Sequence, residues 1–173
     1  MRILITFIAL WYAFSIQAQD IESPPETYIS FAPCITNAIG TLGEKFSPTL
    51  EVGRQWEDVF SLGLDIGRTG SPRYTKKDTT VYLEIRPNLN VFQVGKFVNT
   101  FTPGIGYVFG ASQHMMLEFT SGVEYSYTPT LHFNIFFGQY FYSGKESNSS
   151  VAFVGMSIAK FFKPTTAKGI IKK

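Results

Sequence analysis

The sequence has one cysteine, Cys34, so the chain can form no disulfide with itself. Beyond the N-terminus it has no apolar run of the about 20 residues that a membrane-spanning helix needs, because every later hydrophobic stretch is interrupted at period two by polar residues or glycine. Charge is sparse: 15 Lys and Arg against 13 Asp and Glu leave a formal +2. No basic cluster with interleaved aromatics occurs, so nucleic acid is not an expected partner. Gly104-Ile105-Gly106 lacks the following helix that a nucleotide site requires, and no paired metal ligands or cysteine cluster is present. Neither a cofactor nor a metal is therefore expected. Helical periodicity is missing from every segment.

What the 173 residues do contain is aromatic side chains and glycine, with 17 Phe, 9 Tyr and 15 Gly, a mix that favours β structure in one domain plus tails. Arg2, the apolar run 3–14 and Ser15-Ile16-Gln17-Ala18 match a secretory signal over 1–18, cut after Ala18. Residues 19–27, with Pro24-Pro25, read as an extended leader, 28–162 as the folded body and 163–173 as a polar tail. Cys34 is too far from the N-terminus to be lipidated and is expected as a small residue packed in a strand.

Eight alternating segments are expected at 28–38, 46–56, 59–68, 79–92, 98–109, 114–127, 131–142 and 150–162. Without the first the count would be seven. The segments at 114–127 and 131–142 form a hairpin around Thr128-Pro129-Thr130. Pairing Tyr127 with Leu131 over a three-residue loop sets 125 opposite 133, 123 opposite 135 and 117 opposite 141, so apolar meets apolar. The other face pairs Glu124 with Asn134, Glu118 with Tyr140, and Phe136 with Gly122. A two-residue loop would break this match unless a bulge intervened. Pro87 lies on the apolar parity of the fourth segment and lacks a donor, which predicts a bulge or a break in the ladder there. Trp56 to Val59 and Thr128 to Thr130 are tight connections, whereas 69–78 and 143–149 are long and polar. Gly110 to Gln113 is a short outer connection and Gln93 to Phe97 a middling inner one.

Glycine decides which face meets lipid. Gly53, Gly63, Gly67, Gly104, Gly106, Gly122, Gly138 and Gly155 share the polar parity, where they would only weaken a solvent-exposed strand. Inside a narrow barrel they leave room for Tyr, Arg and Phe. The opposite parity, with Leu62, Leu64, Ile66, Leu83, Ile85, Leu117, Phe119, Val123, Phe133, Ile135 and Phe137, is then lipid-facing. Arg54, Arg68 and Lys160 fall on that parity near strand ends, where a cation costs about 0–1 kcal/mol rather than the about 2–4 of the bilayer midplane. Trp56, Tyr127 and Tyr142 are expected in aromatic girdles. Lipid offers an open sheet edge no partner, so the sheet must close. The fold class expected is all-β, an antiparallel up-and-down eight-stranded transmembrane β-barrel. A bore of that size is filled by side chains, so this is no wide porin.

The stretches FSPTLEVGRQW, VFSLGLDIG, FTPGIGYVFG, LEFTSGVEYSY and HFNIFFGQYFYSGK carry a resemblance over residues 46–162. The chain resembles the small eight-stranded outer-membrane β-barrels of Gram-negative bacteria, in particular the short, mostly uncharacterised barrels of the Bacteroidetes type. The resemblance implies residence in the outer membrane, with its lipid and the barrel assembly machinery as partners. Such barrels often end on an aromatic residue of the last strand; here Phe161-Phe162 is followed by the tail 163–173.

On the assigned parity the interior carries Glu51, Asp65, Glu84, Glu118 and Glu124 against Arg86, with His132, Asn134 and Tyr140 completing a polar network. Isolated ions are expensive in low dielectric, so these carboxylates are expected in a hydrogen-bonded core, or holding a proton or a bound cation. Glu51 and Asp65 are expected to face each other across the hairpin at Glu57-Asp58. Some relatives of this kind modify lipid A with a Ser-His pair, for which His132, Ser126 and Glu124 are the candidates; on this parity they point inward near the inner turn, away from the outer leaflet. Asn148-Ser149-Ser150 reads as a polar loop. The function expected is a non-catalytic, structural or partner-binding barrel, its contacts made by 69–78 and 143–149. The alternatives are a soluble lipocalin-like carrier of an apolar ligand and a lipid A-modifying enzyme. Sequence alone names no specific protein partner.

Overall fold

Strands of ten to fifteen residues form wherever apolar and small or polar residues alternate at period two, because only an extended backbone sends successive side chains to opposite faces. The computed structural model describes residues 25–38, 44–56, 58–69, 80–110, 113–143 and 150–162. Eight strands run in chain order: β1 (Glu26–Ala38), β2 (Glu44–Trp56), β3 (Phe60–Thr69), β4 (Thr80–Val94), β5 (Phe97–Phe109), β6 (His114–Thr128), β7 (Leu131–Ser143) and β8 (Ser150–Phe162). Residues 28–38, whose removal would have left seven strands, form β1, which begins within the stretch read as a leader. The signal at 1–18, most of the leader and the tail at 163–173 lie outside the described residues, as do 70–79 and 144–149.

Each strand pairs antiparallel with its sequence neighbours, and β1 also pairs with β8, which closes the barrel. Thr27 lies opposite Phe162, and Glu26 opposite Gln55. The two termini of the barrel therefore sit at the end that carries the connections β2–β3, β4–β5 and β6–β7, called here the turn end. The opposite end is the loop end.

Two connections differ from expectation. Gln93 to Phe97 is a two-residue turn, Gly95-Lys96, with Val94 opposite Phe97 and Gly95 at φ 61°, a conformation that glycine adopts without steric cost. The β6–β7 turn is Pro129-Thr130, with Thr128 rather than Tyr127 opposite Leu131. A register shift between Ser126 and Thr128 absorbs the odd residue and keeps 125, 123 and 117 opposite 133, 135 and 141. At Pro87 the ladder breaks without a bulge: β4–β5 pairing skips from Ile85–Ile105 to Leu89–Phe101, leaving Pro87 facing Pro103, two residues without a donor. The β4 bulge falls instead between Asn90 and Phe92, where it turns Phe92 and Val94 outward along with Val91.

Burial is inverted relative to a soluble barrel. Leu64 is 51% exposed, Phe119 47% and Ile135 68%, while Asp65, Glu84 and Glu118 are each 1% exposed. Leu62, Ile66, Leu83, Ile85, Leu117, Val123, Phe133 and Phe137 are likewise exposed. An apolar surface of this extent around a closed sheet matches hydrocarbon, and it overturns the lipocalin-like alternative, which needs the same residues to line the centre. Trp56 and Tyr127 face outward at the turn end, where the Arg54 guanidinium lies 5.9 Å from the Trp56 ring centroid. Tyr142 departs from its expected girdle position: it is buried in the bore, because it lies on the glycine parity of β7.

Candidate functional site: the bore

The bore has three zones. Nearest the loop end, Tyr82, Val108, Met116, Tyr140, Val151 and Phe153 are almost fully buried and pack into one cluster with Cys34 and Phe136. Tyr140 stacks on Phe153 at a centroid distance of 4.3 Å. Glycines make these rings fit. A Cβ on Gly155 would stand 2.7 Å from Cys34 Cβ and 2.8 Å from Phe136 Cζ, and one on Gly67 would meet the Tyr82 ring at 2.8 Å. Cys34 donates its thiol to the Ser47 carbonyl at 2.7 Å.

Arg86 is the hub of the middle zone. Its Nη1 donates to Glu51 Oε2 at 2.7 Å and its Nη2 to Glu118 Oε1 at 2.9 Å. Glu51 also accepts from Tyr28, and Glu118 from Thr120. Glu51 and Asp65 are register partners, as are Asp65 and Glu84, so three carboxylates follow one another round the wall from β2 to β4. The Tyr82 hydroxyl donates to Asp65 Oδ2 at 2.6 Å. Charge-assisted bonds of this kind are the strong ones in a low-dielectric interior.

At the turn end lies a cavity of about 60 Å³, room for a few waters, walled by Tyr28, Glu51, Arg86, Asn88, Glu124 and Asn134. Beside it His132 Nδ1 is 2.7 Å from Glu124 Oε1, and the His132 ring packs on Phe161 at 4.5 Å. Ser126 is the register partner of His132. The structure thus brings Glu124, Ser126 and His132 to one place, inside the bore and near the turns. It separates them from Glu84, Glu118 and Tyr140, which lie deeper.

Sequence reasoning missed Tyr28, Tyr82, Thr120 and Thr102 as members of the polar network, and Met116, Val108, Val151 and Phe153 as fillers. Their signal was present: Thr102, Thr120, Val108, Met116, Val151 and Phe153 lie on the glycine parity of their strands, and Tyr28 and Tyr82 alternate with the outward Ile29 and Leu83.

No protein-family model matches the chain, and no curated protein is similar to it in sequence. Solved structures are similar in shape. Neisserial surface protein A superposes with a TM-score of 0.56 at 12% identity, over 80% of this chain and 97% of that one. The outer-membrane protein AlkL in lipid bilayers gives 0.56 at 10% identity, over 83% and 93%. The N-terminal barrel domain of Pseudomonas aeruginosa OprF gives 0.53 at 12%, over 76% and 96%.

The fold is that of a small outer-membrane β-barrel. At these identities the likeness concerns the barrel: strand number, antiparallel closure and an apolar exterior. The Arg86 hub and the turn-end cavity are features of this chain's own side chains.

Proposed function

We propose that the protein is an integral outer-membrane barrel with a structural or partner-binding role and no catalytic activity. The observation that supports this most is the filling of the bore by side chains from Arg86 towards the loop end, among the described residues, which argues against a conducting path or a reaction chamber open to the outer leaflet. Contacts with partners then fall to the polar stretches 69–78 and 143–149, which connect β3 to β4 and β7 to β8. Residues 1–18 serve as the export signal, the turn end faces the periplasm and 163–173 form a tail there. The interior network is structural, holding the wall in register. Phe162, outward at the end of β8, supplies an internal mark for the assembly machinery. Kinship with short barrels of the Bacteroidetes type rests on the aromatic and glycine texture of FTPGIGYVFG and HFNIFFGQYFYSGK.

Refolding in detergent, followed by planar-bilayer recording, tests this reading. The expected result is heat-modifiable gel mobility, resistance of the membrane-bound protein to carbonate washing and no steady conductance. Release by carbonate, or a stable open channel, would overturn it.

One observation favours lipid A modification as a second reading, the hydrogen bond between His132 and Glu124 with Ser126 across the ladder. The dyad faces the bore at the turn end, so a lipid in the outer leaflet has no route to it. Lipid A profiles that differ between wild type and His132→Ala would revive the enzyme.

A further inference from the structure

Glu84 is 1% exposed, and neither of its carboxylate oxygens meets a hydrogen-bond donor. It reaches over Gly104, whose missing side chain leaves space that two glutamates fill. A Cβ there would stand 2.8 Å from Glu84 Cδ and 3.2 Å from Glu118 Cβ. The two side chains thus crowd one point in the bore from β4 and β6. Glu118 Oε1 already accepts from Arg86 and Thr120, whereas its Oε2 has no partner.

The charges around this pair do not balance. Arg86 supplies one positive charge, and its two terminal nitrogens are used on Glu51 and Glu118. Asp65 of β3 faces Glu84 along the ladder and holds the Tyr82 hydroxyl, β5 offers only Gly104 and Gly106, and β7 offers the Tyr140 phenol. None of these compensates a second buried carboxylate beside Glu118, and an uncompensated ion in such a place is very costly. The turn-end cavity borders Glu51 and Arg86 but not Glu84, Asp65 or Glu118, and among the described residues no three acidic, His or Cys side chains converge as a metal site.

A proton needs no space and brings its own donor. We propose that Glu84 and Glu118 form an internal proton-binding site, in which Glu84 is a neutral acid whose O–H donates to Oε2 of Glu118. The proton comes from solvent as the barrel closes, and the sealed loop half keeps it in place. This inference rests on the inward orientation of the two side chains, not on the surface role proposed above, so either can fail without the other.

Infrared spectroscopy of the full barrel refolded in phosphatidylcholine vesicles at neutral pH tests the site directly. The wild type should show a carboxylic-acid carbonyl band that shifts with isotope-labelled glutamate and not with labelled aspartate. Glu84→Gln, whose amide replaces the neutral acid and can still donate to Glu118, should fold with wild-type yield and lose the band. A wild type without the band, or with one that shifts on labelling aspartate, would overturn the proposal, as would a folded Glu84→Gln barrel that keeps it. The labelling result in the wild type decides the matter even if the variant does not fold.

Discussion

Arg86 of β4 places its Nη2 2.9 Å from Oε1 of Glu118 on β6, across a bore wide enough for one guanidinium. Glu118 is fully buried and Arg86 is partly so, at the edge of the turn-end cavity, so removing the cation strands the carboxylate in low dielectric. Arg86→Met is expected to destabilise the barrel by about 3–5 kcal/mol in reversible urea unfolding from vesicles. Adding Glu51→Gln and Glu118→Gln should recover most of that loss, since an apolar or neutral replacement of the whole cluster leaves no orphaned charge.

The outward face should show a depth dependence that a water-exposed surface would not. Phe137, at the middle of β7, is 67% exposed, and Phe137→Arg should cost about 2–4 kcal/mol of stability in the bilayer. Phe162→Arg, at the turn end of β8, should cost about 0–1 kcal/mol. Equal costs at the two positions, measured by the same unfolding assay, would contradict insertion in this orientation.

Gly155 is locked beneath Phe136 and against Cys34. Gly155→Ala is expected to cost about 1–3 kcal/mol through overpacking. Phe136→Leu in the same chain should relieve more than half of it. Additive losses in this double-mutant cycle would mean that the two residues do not compete for the same space.

Gly95 has open space around it and φ 61°, so a side chain there meets strain and no clash. Gly95→Val should cost about 1–2 kcal/mol, while Gly95→Asn should cost less, because asparagine enters the left-handed region more readily. Refolding yield and unfolding midpoint of the two variants would separate them.

Strand positions and facing were legible because a wall between lipid and a cramped bore imposes two environments at period two. Leu62 to Ile66 on one parity and Gly63 to Gly67 on the other leave a single way to orient β3. No boundary moves by more than two residues from its expected place. What was not legible came from departures in period. The β4 bulge puts Val91 and Phe92 on the same side, which alternation alone cannot show. By residue type Tyr142 reads as a girdle residue, although its parity with Gly138 and Tyr140 points inward. The Arg86 hub was harder still: its inward direction followed from parity, but its choice of Glu51 and Glu118 depends on strand stagger, which no local pattern encodes.

The seam between β1 and β8 joins position 27 to position 162, the two extremes of the barrel in chain order. Every other junction is a local hairpin that can zip as soon as its second half exists. This one must wait for the final strand, so wall formation is all-or-none with respect to the last dozen or so residues. A chain cut short of β8 would carry two raw backbone rows at once, each a template for foreign strands. Such a fragment is expected to be a substrate for periplasmic proteases rather than a weakened barrel.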